Sequence, residues 1–187
     1  MSLSAVQGGA WSRPAALAVL VLGIEYSRVL AGRLPGMATA SLLVGGLALC
    51  LLALGRRPAD LGLGRDRLAF RVLGGFALAA ILLLPAAVRW GGGPSLPPEL
   101  AVAAVAVSVG EEIAFRGALF GALSEAGGPA LAVLGSTLVW TAAHALSHPP
   151  AFLPAVAAAG LLLGTWRWAC RDLVGPVVGH VIADLSL

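Results

Sequence analysis

The sequence predicts an all-α protein, a polytopic transmembrane helical bundle of about seven helices. Of 187 residues, 59% are hydrophobic and only 11% charged, where soluble domains run at about 45–50% and about 25%. Mean hydropathy is +0.93. Apolar stretches close to the roughly 20 residues that cross a hydrocarbon core alternate with short Gly/Pro/Arg loops. The same composition excludes intrinsic disorder, a disulfide scaffold and a coiled coil, which need high net charge, many cysteines or charged heptads.

At roughly 20 residues per span, helices fall near 12–30, 34–54, 69–90, 100–123, 130–148, 150–170 and 175–187. Residues 1–187 read as a single transmembrane domain, whose half 100–187 bears the motifs. Arg13 before the run Pro14–Ile24 imitates a signal peptide, but Glu25, Tyr26 and Arg28 stand where a small-residue cleavage site belongs. The first helix is therefore expected to be retained. The segment Gly55–Leu68 is the most polar and reads as a cytoplasmic loop. Alternation then places the N-terminus inside, with Arg13, Arg56, Arg57, Arg65, Arg67, Arg71, Arg167 and Arg171 inside and Arg28, Arg33 and Arg89 outside. The loops at 91–99 and 147–150 would face the other side.

The basic excess is all arginine and leaves a formal charge of only +3. It reports topology, and no nucleic-acid partner is expected. Cys50, in an apolar run, and Cys170, beside Arg171, read as unbridged small apolar side chains. Gly45, Gly46, Gly74, Gly75, Gly160 and Gly164 sit inside spans, where small residues let helices approach. Gly160 and Gly164 form a GxxxG, weak support for a homo-oligomer in so glycine-rich a chain.

Charged side chains inside spans need a reason, because each costs about 2.5–3.5 kcal/mol at a helix centre. The fourth span places Glu111, Glu112 and Arg116 near its middle, on the order of 10 kcal/mol if left unpaired in lipid. In an α-helix Glu112 and Arg116 lie about 40° apart and can pair, whereas Glu111 lies about 140° from Arg116 and is left for a proton, a metal or water. All three histidines come late. His144 follows Trp140 by one turn, and His180 precedes Asp184 by one turn. His148, against Pro149 and Pro150, reads as a loop-edge residue. Three carboxylates against Arg116 alone would leave two uncompensated negative charges. A protonated histidine, a proton shared on Glu111 or a divalent cation would have to join them.

The order E-E-x-x-x-R (Glu111, Glu112, Arg116), W-x-x-x-H (Trp140, His144) and H-x-x-x-D (His180, Asp184) resembles the CPBP or Abi family of CAAX prenyl proteases and bacteriocin-processing proteins, over residues 100–187. The resemblance implies an intramembrane endopeptidase in which Glu111 and His144 activate water. His180 and Asp184 would stabilise the oxyanion or position the water, supported by Glu112, Arg116 and Trp140. Trp140 stands where the family often has Phe, and Asp184 where it often has Asn. An ionised Asp cannot donate to an oxyanion, so it would instead orient His180 as its imidazolium, or be protonated itself.

No H-E-x-x-H, G-x-S-x-G or G-x-G-D pair is present. No cofactor is favoured. The alternative is zinc on Glu111, His144 and His180 with an open position for water. The other function class is a non-enzymatic transporter or bacteriocin-immunity protein using these groups as a proton relay. A relay needs protonatable groups strung across the bilayer, and a hydrolase needs them gathered about one water. His144 toward the outer end and His180 toward the inner end of their spans leave that contrast open.

The expected partner is a membrane-anchored protein or peptide substrate in the lipid bilayer. The expected location is a bacterial inner membrane, since Arg-only, Ala/Gly-rich usage looks like a high-GC bacterium. An exported protein's membrane-embedded tail, a peptide precursor or a bacteriocin is favoured over a prenylated peptide, and sorting-signal cleavage of the myxosortase kind is one candidate.

Overall fold

The computed structural model describes residues 3–87 and 96–186. Arg89 and most of the 91–99 loop lie outside them. Among the described residues there are helices and no strands: α1 (Leu3–Gly32), α2 (Ala38–Leu51), α3 (Leu68–Ala87), α4 (Pro98–Glu111), a π-helix (Glu112–Leu119), α5 (Phe120–Ala143), 3-10 turns at His144–Leu146 and Pro150–Phe152, α6 (Leu153–Cys170) and α7 (Val174–Ser186).

These make six helical stretches, not the expected seven, because the fourth and fifth expected spans belong to one stretch, Pro98–Leu146. That stretch is not one rod. Gly127 and Gly128 leave helical geometry, Gly128 at φ 83°, ahead of Pro129. Trp140 then returns to 2.9 Å from Glu111, whereas 29 residues of straight helix would separate them by about 43 Å. A positive-φ glycine followed by proline turns the chain without a loop, between the expected span ends at 123 and 130.

The bundle is built inside out. Leucine, valine and phenylalanine cover its outside: Val44, Leu47 and Leu51 on α2, Leu73 and Phe76 on α3, Leu134 and Leu138 on α5 are all well exposed. The interior holds Glu25, Arg71, Glu111, Glu112, Arg116, Arg167, Asp172 and His180. Such a surface is stable only against hydrocarbon. Gly9–Gly32, Pro98–Leu146 and Pro150–Cys170 are long and apolar enough to cross a membrane; Ala38–Leu51, Leu68–Leu84 and Val174–Ser186 are shorter apolar helices.

Small residues bring the helices into contact, as the sequence suggested. Gly110 on α4 meets the backbone of Gly46 on α2, and Gly75 on α3 meets Val178 on α7. The Gly160/Gly164 pair seats Thr137, Trp140 and Val133 of α5. That GxxxG is used within the chain, and its glycines carry no indication of an oligomer. Cys50 and Cys170 are free.

The arginine-rich loop between α2 and α3 folds onto the bundle. Gly62, at φ +81°, accepts from the Leu173 amide at 3.0 Å and from Arg71 at 2.9 Å, and Leu61 is buried against Ala53 and Leu173. Arg13 and Arg56 meet at Glu125, Arg57 pairs with Asp60, and Arg71 with Asp66 and Asp172. Hydrogen bonds from Arg57 and Arg71 hold the exposed Asp60 and Asp66 carboxyls below their ordinary range. Arg167 also reaches this loop, donating to the Asp60 carbonyl at 3.0 Å. Arg33 donates instead to the Leu146 carbonyl.

Candidate active site

Midway through the bundle the α4 turn widens. From Glu112 to Leu119 the backbone is π-helical, a geometry seldom seen except as short bulges, often at functional sites. Ala114, Gly117 and Ala118 make room for it, and Gly117 lies against Leu61. Arg167 Nε donates to the Arg116 carbonyl at 3.1 Å, giving it a partner near the return to α-helix. The Glu112–Arg116 pair expected for an α-helix survives this change, at 2.8 Å.

Glu112 is fully buried, and its Oε1 accepts from both Arg116 Nη1 and His180 Nδ1, the latter at 2.9 Å. Arg116, also fully buried, lies over the Trp140 ring at 4.2 Å. The other His180 nitrogen, Nε2, faces Asp184 at 3.4 Å, and Asp184 accepts from Ser108 Oγ at 2.7 Å. His180 is thus bracketed by two carboxylates.

Glu111 has no partner on its own helix and finds two on others. Its Oε1 accepts from Arg28 Nη2 at 2.9 Å and its Oε2 from Trp140 Nε1 at 2.9 Å. Arg28 points into the bundle. Its aliphatic stem lies on Gly45, and its Nη2 also binds Glu25, itself 1% exposed. The compensating cation that the charge count demanded therefore includes a guanidinium from α1. Sequence reasoning passed over Glu25 and Arg28, although an acid and a base three residues apart within an apolar helix carry the same burial argument as Glu111 and Glu112.

His144 stands at the end of α5. Its Nδ1 lies 2.8 Å from the Trp140 carbonyl, and a carbonyl only accepts, so Nδ1 carries the proton. Nε2 lies 3.9 Å from Glu111 Oε2. That gap is too long for a direct bond and fits one water touching both. The Trp140 ring lies 4.7 Å from His144 and 5.8 Å from His180. The separation expected between the two histidines is not found: α7 (Val174–Ser186) lies where the sequence placed it, and both rings pack on Trp140. His148 stacks on Phe152 beside the bend, as a loop-edge residue would.

Exposure grades across the cluster. Glu112 and Arg116 are sealed, while the side chains of Arg28 and His144 are 12% exposed and that of Asp184 is 34% exposed. Access is from the side of those three. Among the described residues no group of three or more His, Cys, Asp or Glu is arranged to hold a metal ion.

Residues 93–186 match the family described as type II CAAX prenyl endopeptidase Rce1-like. No curated protein and no solved structure matches the chain.

Proposed function

Since the chain belongs to the type II CAAX prenyl endopeptidase Rce1-like family, we propose that it is an intramembrane endopeptidase in which water held between Glu111 and His144 attacks a peptide carbonyl. The observation that carries this reading is the 3.9 Å gap between Glu111 Oε2 and His144 Nε2. The water donates one hydrogen to each. Glu111 takes a proton as the water oxygen bonds to the carbonyl carbon, and returns it to the leaving amine. Glu112 and Arg116 hold His180, and His180 with Asp184 and Ser108 closes the far wall. Protonatable groups gathered around one point favour hydrolysis over a relay strung across the bilayer.

A zinc ion on Glu111, His144 and His180 fits these donors poorly. Both His180 nitrogens face carboxylates, both Glu111 oxygens have donors, and a dication would sit beside the Arg28 guanidinium. The reaction is therefore assigned to the side chains alone. The arginine-rich end, where α1 begins, is assigned to the cytoplasm of a bacterial inner membrane, and the substrate to a membrane-anchored protein or peptide.

Cleavage of a farnesylated CAAX-tailed peptide and of membrane-anchored reporter tails, with and without chelator, tests this. Glu111→Gln, Glu111→Ala and His144→Ala should each lose about 10²–10⁴ of the rate while inserting normally. Full activity in Glu111→Gln refutes the base assignment, and chelator-sensitive activity restored by zinc refutes the metal-free route.

A further inference from the structure

Attack on a carbonyl places a full negative charge on its oxygen, and in a dry site that charge needs a fixed donor. Among the residues surrounding Glu111, Arg28 combines unused donors with an incompletely sealed side chain. Asp184, as a carboxylate, only accepts, and already does so from Ser108. His180 is held by Glu112 and faces Asp184 with its second nitrogen. Trp140 spends its single N–H on Glu111. Arg116 is sealed from any substrate.

Arg28 differs from all of these. Both of its ion pairs use Nη2 alone. Nε is buried without a partner. Nη1 has no hydrogen-bond partner among the described residues and is not among the sealed polar atoms. A guanidinium in an apolar bundle with most of its N–H groups unused, on the accessible side of the general base, has donor capacity waiting for an acceptor.

Resting on the endopeptidase reading, we propose that Arg28 is a further catalytic residue, whose free N–H groups bind the scissile carbonyl oxygen and the oxyanion formed from it. It lies on α1, outside the segment 93–186 that matches the family. The charge bookkeeping closes. In the resting site Arg28 neutralises the Glu111 carboxylate. As the water O–H bond breaks and its proton passes to Glu111, the new C–O bond pushes the carbonyl π pair onto oxygen. Negative charge moves from one neighbour of Arg28 to another, so the net charge of the chamber is constant through the step. Glu25 and Gly45 are positioning residues. Glu25 fixes the guanidinium from behind, and a Cβ at position 45 would lie 2.6 Å from Arg28 Cδ.

The test is steady-state cleavage of the farnesylated CAAX-tailed peptide by full-length protein in proteoliposomes, for the parent, Arg28→Gln and Arg28→Lys. It is paired with inhibition by a peptidyl phosphonate whose tetrahedral P–O⁻ mimics the oxyanion. Arg28→Gln should lower kcat by about 10²–10³ with KM nearly unchanged, and should weaken the phosphonate far more than the substrate. Arg28→Lys should fall between. A merely structural role would move KM and thermal stability together and leave the ratio of phosphonate to substrate binding unchanged. If Arg28→Gln does not accumulate, Gly45→Ala, which displaces the Arg28 stem but keeps its charge, should show the same loss of kcat. A kcat near the parent's in a folded variant overturns the proposal alone. A parent that cleaves neither this peptide nor membrane-anchored tails overturns the endopeptidase reading and this proposal with it.

Discussion

Replacing Glu112 by Leu removes the one carboxylate bound to a fully buried guanidinium. Arg116 already lacks partners at Nε and Nη2, so the variant strands its last arm, Nη1, as well. Breaking a buried pair from one side costs about 3–5 kcal/mol. Arg116→Met should cost nearer the low end, since His180 still donates to Glu112, although the contact over Trp140 is lost too. The double variant Glu112→Leu/Arg116→Met removes both charges at similar volume and should return to within about 2 kcal/mol of the parent. In a chain of this length that predicts a fall of roughly 6–20 °C in the thermal midpoint for Glu112→Leu and recovery of most of it in the double variant, read by circular dichroism in mild detergent. Cleavage should not recover. His180 Nδ1 has lost its acceptor in both, and losing such a support costs about 10–100-fold. A Glu112→Leu variant as stable as the parent, or a double variant cleaving at the parent rate, would refute the reasoning.

Three further outcomes follow from single contacts. Asp172 accepts from the amides of Val174 and Gly175 and from Trp166 Nε1 and Arg71 Nη1; Asp172→Ala should cost about 2–4 kcal/mol and speed amide exchange in the first turn of α7. Trp140→Phe keeps a ring under Arg116 but removes the donor to Glu111, a hydrogen bond worth about 1.5–3 kcal/mol, so its cleavage rate should drop without loss of the helical signal. In Gly160→Val the added Cβ would meet Trp140 Cε3 and Thr137 Cγ2 at 2.9 Å; a cost of about 1–3 kcal/mol and a shifted tryptophan emission are expected.

The spans were legible because hydrocarbon imposes one length and one polarity on every crossing segment, and the EExxxR, WxxxH and HxxxD spacings were legible because a helix repeats every turn. What escaped depends on contacts between distant segments. The π-helix has no compositional sign, so the 140° separation drawn for Glu111 rested on the wrong helix. Glu25 and Arg28 were visible and underused: they served to argue against a cleaved leader and, for Arg28, to count sides, although charges buried within an apolar helix call for the same explanation as Glu111 and Glu112.

The cluster divides into two halves that meet at Trp140. Four carboxylates, Glu25, Glu111, Glu112 and Asp184, face two guanidiniums and two imidazoles, and every one of them touches a donor or a cation. In one half, Glu112, Arg116 and His180 are sealed and mutually satisfied at the atoms that touch. A low dielectric makes such a group rigid, because any departure exposes a bare charge. In the other half, Arg28 keeps unused donors, and Arg28 and His144 are less deeply buried. Rigidity in the first half is what allows incompleteness in the second. An open donor set surrounded by mobile charges would collapse onto itself, whereas one held against a fixed wall can wait for a carbonyl and a water. The N-terminal helix therefore carries part of the chemistry, and grafting residues 93–186 onto another set of leading helices should give a folded but inactive protein unless an arginine is supplied at the depth of Arg28.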